Sequence, residues 1–444
     1  MAGPSFRGPW QWQEWSEWLS QGLHGRSRWR LGVLLMGALF ANGRRCVSSW
    51  LRANGVSGDY QDYYYFLAPL GRKAESVASQ LLALVLQRIT SGERLLAVID
   101  DTPTKRYGPH VEGADIHHNP TPGPADQQYL YGHVWVTLAL AVRHSLWGTV
   151  ALPLRALLYV RERTLEKIPK RRGWRFRTKL VLAAELLAWW AKIAKTAGKT
   201  LWVAADGAYA KRVFLTAARA LSVTVVSRLR KDAALFDVPR PRRAGQRGRP
   251  RKYGANRISL AKRAGQTRGW KVLECMIYGQ HTGKMFKTFV ATYPPAGGLI
   301  RVVLVEEEHS VATFFCTDPS ASVRDILEAF ADRAAIEQDF HDLKEVWGVG
   351  QQQVRNIWTN VGVYHVNLWM HTLVELWAWE RPHYELCDRS DSPWDDPKRR
   401  PSHANRRKAF RQAILREHLS ALIAATTLPQ KLRQLVEQLL NLAA

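Results

Sequence analysis

One carboxylate, Glu337, lies in the stretch Arg333-x-x-x-Glu337-x-x-x-x-x-x-Lys344. If the stretch is helical, offsets of −4 and +7 at 100° per residue turn by only about −40° and −20°. Arg333, Glu337 and Lys344 then share one face, an acid flanked by two cations. The common use of this spacing is an intrahelical ion pair, worth about 0.2–0.5 kcal/mol. The other use is a metal-binding acid beside a polyanionic substrate. Two earlier acids favour the second use. Asp100 and Asp101 end the apolar run Leu95-Leu96-Ala97-Val98-Ile99, and Asp206 ends Leu201-Trp202-Val203-Ala204-Ala205, just before Gly207. Short apolar runs bounded by turn formers predict buried strands. An acid at the C-terminal end of such a strand stands where open α/β sheets bind ligands. Taken singly, these aspartates could be turn formers or helix caps. Taken together, strand-end Asp, strand-end Asp and helical Glu form a set of oxygen donors suited to two Mg²⁺ ions, with Mn²⁺ able to substitute. Two such ions about 4 Å apart activate the attacking oxygen and stabilise the leaving one in phosphoryl transfer.

The bulk composition points to the substrate. In 444 residues, 64 Lys and Arg stand against 38 Asp and Glu, a net charge of +26. Such a surplus favours a polyanionic partner, because each phosphate contact releases counterions. The charge is concentrated. Residues 166–179 carry Lys167, Lys170, Arg171, Arg172, Arg175, Arg177 and Lys179, and residues 240–263 hold ten Lys or Arg and no acid. Within the second segment, Arg247-Gly248-Arg249-Pro250-Arg251-Lys252 resembles the core of an AT-hook, whose arginines fit a narrow minor groove. The plainer alternative is a solvated loop that touches phosphates without sequence preference. The four cysteines are far apart with no C-x-x-C pair, so a reducing cytoplasm fits best. The apolar run from Leu31 to Ala41 is too short to span a bilayer, and no membrane role is expected.

Elements that must position the acids follow from texture. Residues 1–92 predict helices, with Trp12, Trp15 and Trp18 within an arc of about 120°. With Arg44, Arg45 and Arg52 near a Gly-containing turn, this region fits either a DNA-binding helical module or a cap on the next domain. Residues 93–229 alternate strands and helices in an α/β order. Residues 230–317 are strand-rich and basic and read as an insertion. Residues 318–380 hold the Glu337 helix, opened by Ser322, and an apolar helix from Val361 to Trp379 that carries His365 and His371. A histidine there is expected to be a satisfied core residue. Residues 381–444 predict a linker, to about 410, and an amphipathic helical tail.

These residues resemble a known family. The chain looks like a DDE-type transposase of bacterial insertion sequences, with an RNase H-like catalytic domain over about residues 93–375. More narrowly it is similar to the group with a Y-x-x-R-x-x-x-E-x-x-x-x-x-x-K signature, met here by Phe330, Arg333, Glu337 and Lys344. Phenylalanine replaces the tyrosine. In that family an Asp precedes a Thr at the end of the first strand, and Asp100-Asp101-Thr102 meets this in two registers. Neighbouring strand residues point to opposite faces; we favour Asp101 slightly over Asp100. The resemblance implies hydrolytic nicking at element ends, then attack of the free 3′-hydroxyl on target double-stranded DNA. Arg333 and Lys344 would position terminal phosphates. Bringing two ends together is compatible with a homodimer, and the setting is the bacterial cytoplasm and nucleoid. The alternatives are an RNase H-like nuclease without strand transfer and a domesticated DNA-binding protein.

Overall fold

The structure is a computed structural model that describes residues 10–89, 92–119, 127–241, 248–390, 392, 394–396, 398–423, 429 and 432. Its centre is the first apolar run. Leu95 to Ile99 are at most 6% exposed and lie in β1 (Arg94–Lys105). The chain continues through β2 (Asp115–His118), β3 (Tyr129–His144), β4 (Gly148–Tyr159), β5 (Thr200–Ala205) and β6 (Thr224–Arg228). β4, β3 and β1 form an antiparallel meander. β5 lies parallel to β1 on its other side, and β6 parallel to β5. The order β4-β3-β1-β5-β6 makes the fold α/β and RNase H-like, with runs buried on both faces as parallel strands require.

The strand-rich segment after β6 forms no separate sheet. It comprises β7 (Leu235–Phe236), β8 (Arg257–Ile258), β9 (Lys271–Ile277), β10 (Gln280–Tyr293), β11 (Gly298–Glu307) and β12 (Ser310–Cys316). β12 returns antiparallel to β6, and β11 and β10 follow outward, so one sheet of twelve strands runs through the described residues. Arg249, Arg251 and Lys252 are exposed beside this extension, in backbone with neither helix nor strand. Arg247 lies outside the described residues.

Helices cover both sheet faces. Among the described residues, five precede the sheet: α1 (Trp10–Ser20), α2 (Trp29–Phe40), α3 (Val47–Ala53), α4 (Tyr60–Arg72) and α5 (Ala74–Arg88). α6 (Lys179–Ala194) and α7 (Arg212–Ala220) make the crossovers into β5 and β6, and the short α8 (Leu260–Gly265) follows β8. After the sheet come α9 (Val323–Asp332), α10 (Ala335–Glu345), α11 (Ile357–Ala378), α12 (His383–Leu386) and α13 (His403–Ile423). α2, α4 and α5 pack on α11. No helix among the described residues is long and apolar enough to cross a membrane.

Two local readings differ from the structure. Ser322 opens α9, its side chain accepting from Asp325 N, but Glu337 lies on the next helix, α10. The break at Arg333 and Ala334 contains no Pro or Gly. It is a tight 3₁₀-type turn, with Ala334 N on Ala331 O and Glu337 N on Ala334 O. The stretch read as linker already contains α12 and the start of α13. Arg407 of α13 is buried because its guanidinium donates to Leu39 O at 2.7 Å, one of the carbonyls left open where α2 ends.

α4 and α11 approach closely enough to require glycine on both. A Cβ on Gly362 would overlap the Leu67 carbonyl oxygen, and one on Gly71 the Trp358 carbonyl oxygen. Backbone atoms cannot swing aside as side-chain ends do. Gly362→Ala is expected to cost about 3 kcal/mol, the upper end for overpacking, read as a lower urea midpoint. Gly25→Ala, where a Cβ meets nothing within 4 Å, should change stability by less than about 0.5 kcal/mol.

Candidate active site

Strand register decides which acids meet. Ile99 pairs with Ala205 in the parallel β1–β5 ladder, so one step further sets Asp100 beside Asp206 on one face. Across β3, Asp100 opposes Thr137 and Thr102 opposes Trp135. Trp135 stacks on Tyr364 of α11 at 3.9 Å. Asp100 therefore points to the face covered by α10 and α11, and Asp101 to the face of α6.

Side-chain contacts agree with this division. Arg333 Nη1 lies 2.6 Å from Asp100 Oδ2, and its Nη2 donates to Glu337 Oε1 at 3.0 Å. One planar fork thus joins two carboxylates 237 positions apart in the chain (337 against 100). Arg333 is itself held over the Phe330 ring at 5.4 Å, and Phe330 packs on Phe314 at 4.9 Å. The Phe330 ring supports the guanidinium from below. On the other face, Lys179 Nζ lies 2.6 Å from Asp101 Oδ2, and the Tyr209 hydroxyl donates to Asp101 Oδ1 at 2.8 Å.

The electrostatics separate the two aspartates further. Burial pushes Asp100 up to about 6. The Arg333 charge and the Asp101 backbone N–H oppose this rise, and the charges of Asp101 and Asp206 add to it. Burial, then the nearby aspartates, hold the Tyr209 hydroxyl well above its usual value, so it stays a donor. Asp206 caps the following 3₁₀ turn by accepting from Ala208 N at 3.3 Å. The Glu337 side chain is 61% exposed and opens to solvent.

The donor set fits a divalent cation of the Mg²⁺ type. It is all oxygen, and a desolvated Asp100 carboxylate already takes a cation, the Arg333 guanidinium, between itself and Glu337. The structure does not bring every predicted basic residue into the open. Arg171 is exposed, whereas Arg172 is clamped to Glu112 at 2.8–3.2 Å and its carbonyl accepts from Trp358 Nε1. Lys344 is half-buried in the last turn of α10. The histidines of α11 divide as well. His365 is satisfied by Val361 O and Ala156 N, as expected of a core residue, but neither nitrogen of His371 has a hydrogen-bond partner among the described residues.

Sequence reasoning missed the roles of Lys179 and Tyr209, because no spacing rule links them to Asp101. It also missed a buried group of Asp339, Asp342, His371, Glu375 and His403 behind α10. A signal for this group was present. Asp339 interrupts the apolar face of Ile336, Phe340 and Leu343, and Glu375 interrupts Val374 and Leu376.

A family model described as DDE superfamily endonuclease matches residues 19–280, a span that includes Asp100, Asp101 and Asp206 and ends before Glu337. No curated protein matches the chain. The match covers more than half of the 444 residues, and the sheet order fits it, so the chain belongs to the DDE superfamily endonucleases.

Proposed function

We propose that the protein is a DNA transposase in which Asp100, Asp206 and Glu337 hold two Mg²⁺ ions for cleavage at element ends and 3′-hydroxyl strand transfer. The observation that carries this reading is the Arg333 fork between Asp100 and Glu337. It supports convergence of residues from a strand end and a distant helix on one point, with Asp206 in register beside them. When bound, the ions would lower the pKa of the attacking water or hydroxyl and offset charge on the leaving oxygen. No protein nucleophile is then required.

The chain's own residues do the remaining work. Asp100 and Asp206 supply rigid oxygen donors from adjacent strand ends, and Glu337 supplies one from the solvent-facing side of α10. Arg333 neutralises Asp100 and Glu337 here, and with ions held by these acids it would be available to the DNA backbone. Asp101, held by Lys179 and Tyr209, fixes the end of β1 from the opposite face; it is a positioning residue. Arg249, Arg251, Lys252 and Arg171 are exposed and suited to phosphate contacts, Lys344 adds a cation on α10, and Arg172 is a structural clamp. The Arg247 part of the AT-hook-like segment belongs to the same proposal.

Removal of a ligating carboxylate should remove several kcal/mol of transition-state stabilisation. Asp100→Asn, Asp206→Asn and Glu337→Gln are each expected to lower Mg²⁺-dependent nicking of end-bearing DNA by about 10³-fold or more. Asp101→Asn should lose less than about tenfold. Equal partial losses at Asp100 and Asp101 contradict the assignment. Joining of a pre-cut end to a second duplex separates a transposase from a nuclease that only cuts.

Asp100 also predicts a pH effect in metal-free protein. Its carboxyl titrates near 6 when folded against 3.8 ordinarily. Its stabilising contribution is therefore full below about pH 4 and lost as pH rises to about 6. Asp100→Asn lacks that loss, so it should gain on wild type by up to about 3 kcal/mol across this window. Urea unfolding in EDTA at pH 4 and pH 7 measures the gain; a difference flat with pH contradicts it.

Exposed and clamped arginines should separate in binding assays. Replacing Arg249, Arg251 and Lys252 by Ala is expected to lower the magnitude of the slope of log affinity against log salt by about 3. Arg172→Ala should leave that slope alone and lower the melting temperature.

A further inference from the structure

Behind the proposed catalytic face, α10 turns a second pair of acids inward. Asp339 and Asp342 are one turn apart and 3% and 7% exposed. Opposite them on α11 stands His371, 2% exposed. Its Nε2 is 3.8 Å from Asp339 Oδ1 and 3.9 Å from Asp342 Oδ2, beyond hydrogen-bond length. Both His371 nitrogens and Asp339 Oδ2 lack a hydrogen-bond partner among the described residues. Buried polar groups are nearly always satisfied, and an unsatisfied Nε2 set between two buried carboxylates calls for an occupant.

Asp342 Oδ1 accepts from Gln338 Nε2 at 3.0 Å, which leaves its Oδ2 facing His371. His403 lies close enough to ligate, but its nitrogens are spent. The Trp347 indole donates to Nε2 at 2.8 Å, so Nδ1 carries the proton and donates to Glu375. Arg406 pairs with Glu375 at 2.9 Å. Among the described residues, Asp339 and Asp342 meet only histidines at ion-pair distance, so two buried carboxylates lack a matching fixed cation. A tetrahedral ion with bonds of 2.0–2.2 Å sets its ligands about 3.4 Å apart. The two contacts of His371 Nε2, at 3.8 and 3.9 Å, stand about half an ångström beyond that spacing. One imidazole with two carboxylates selects a transition ion over Mg²⁺ or Ca²⁺. A cavity of about 660 Å³ borders the group and gives room for a water as fourth ligand.

We propose that Asp339, Asp342 and His371 form a second, structural metal site for one Zn²⁺-class ion, behind the helix that carries Glu337. The ion would tie α10 to α11, with the His403 and Glu375 pair of α13 and α11 as its wall. This site uses none of Asp100, Asp206 and Glu337, although Glu337 borders the same cavity, and it stands whether or not the protein transfers strands.

The test uses metal-stripped full-length protein titrated with Zn²⁺ in excess Mg²⁺, which keeps the oxygen-only acids occupied. Bound metal is counted by mass spectrometry after gel filtration. Wild type and Glu337→Gln should each retain one Zn²⁺ per chain. Asp342→Asn and His371→Gln, checked for folding by circular dichroism, should bind at least about 100-fold more weakly. Co²⁺ added to unmutated protein and to Glu337→Gln should give the intense visible bands of a four-coordinate nitrogen–oxygen site, an arm that needs no variant in the cluster. Absence of stoichiometric Zn²⁺ in wild type, absence of those Co²⁺ bands, or unchanged Zn²⁺ affinity in the folded cluster variants would overturn the proposal.

Discussion

A carboxylate half-buried at a strand end must find a compensating positive charge, and Asp100 finds it in Arg333. The group is desolvated enough to titrate near 6, and a single guanidinium answers both it and Glu337. Desolvation makes a charge expensive to leave unpaired. The same property would suit a stronger cation at the proposed site. Much of the surrounding structure secures this pairing: the Phe330 and Phe314 rings under Arg333, the tight turn that starts α10, and α11 packed below it.

The sheet supplies the second constraint. Parallel pairing of β1 with β5 brings Asp100 and Asp206 side by side at the C-terminal edge, where neither needs a loop to reach the other. The strand pleat then divides the Asp100-Asp101 doublet between two faces. One aspartate meets Arg333, and the other meets Lys179 and Tyr209. A one-residue slip of β1 would exchange their roles and turn its apolar residues over, so core burial and site geometry fix one another. The extension through β12, β11 and β10 lengthens this sheet away from the acids, with its basic segment exposed to solvent.

How much of this could be read in the sequence depended on range. Apolar runs ending in Asp predicted both central strands, because burial on two faces leaves a clear signature in Leu95–Ile99 and Leu201–Ala205. The Arg333–Glu337 contact followed from i,i+4 spacing and survives the helix break, since the turn there keeps right-handed backbone angles at Arg333 and Ala334. The choice between Asp100 and Asp101 was not legible. It depends on which face α10 and α11 cover, a tertiary fact that no local pattern encodes. Arg172 looked like one more phosphate contact, but Glu112, 60 residues away, claims it. The start of α13 was hidden for the same reason: a run of arginines reads as solvated until α2 offers open carbonyls to Arg407.

The most direct measurement is a crystal of the full chain with Mn²⁺, phased on its anomalous signal. The account predicts two peaks about 4 Å apart, bounded by Asp100, Asp206 and Glu337, with Arg333 moved off Asp100 and Asp101 still on Lys179. Peaks ligated by Asp101 instead of Asp100, or none within reach of Glu337, would contradict it.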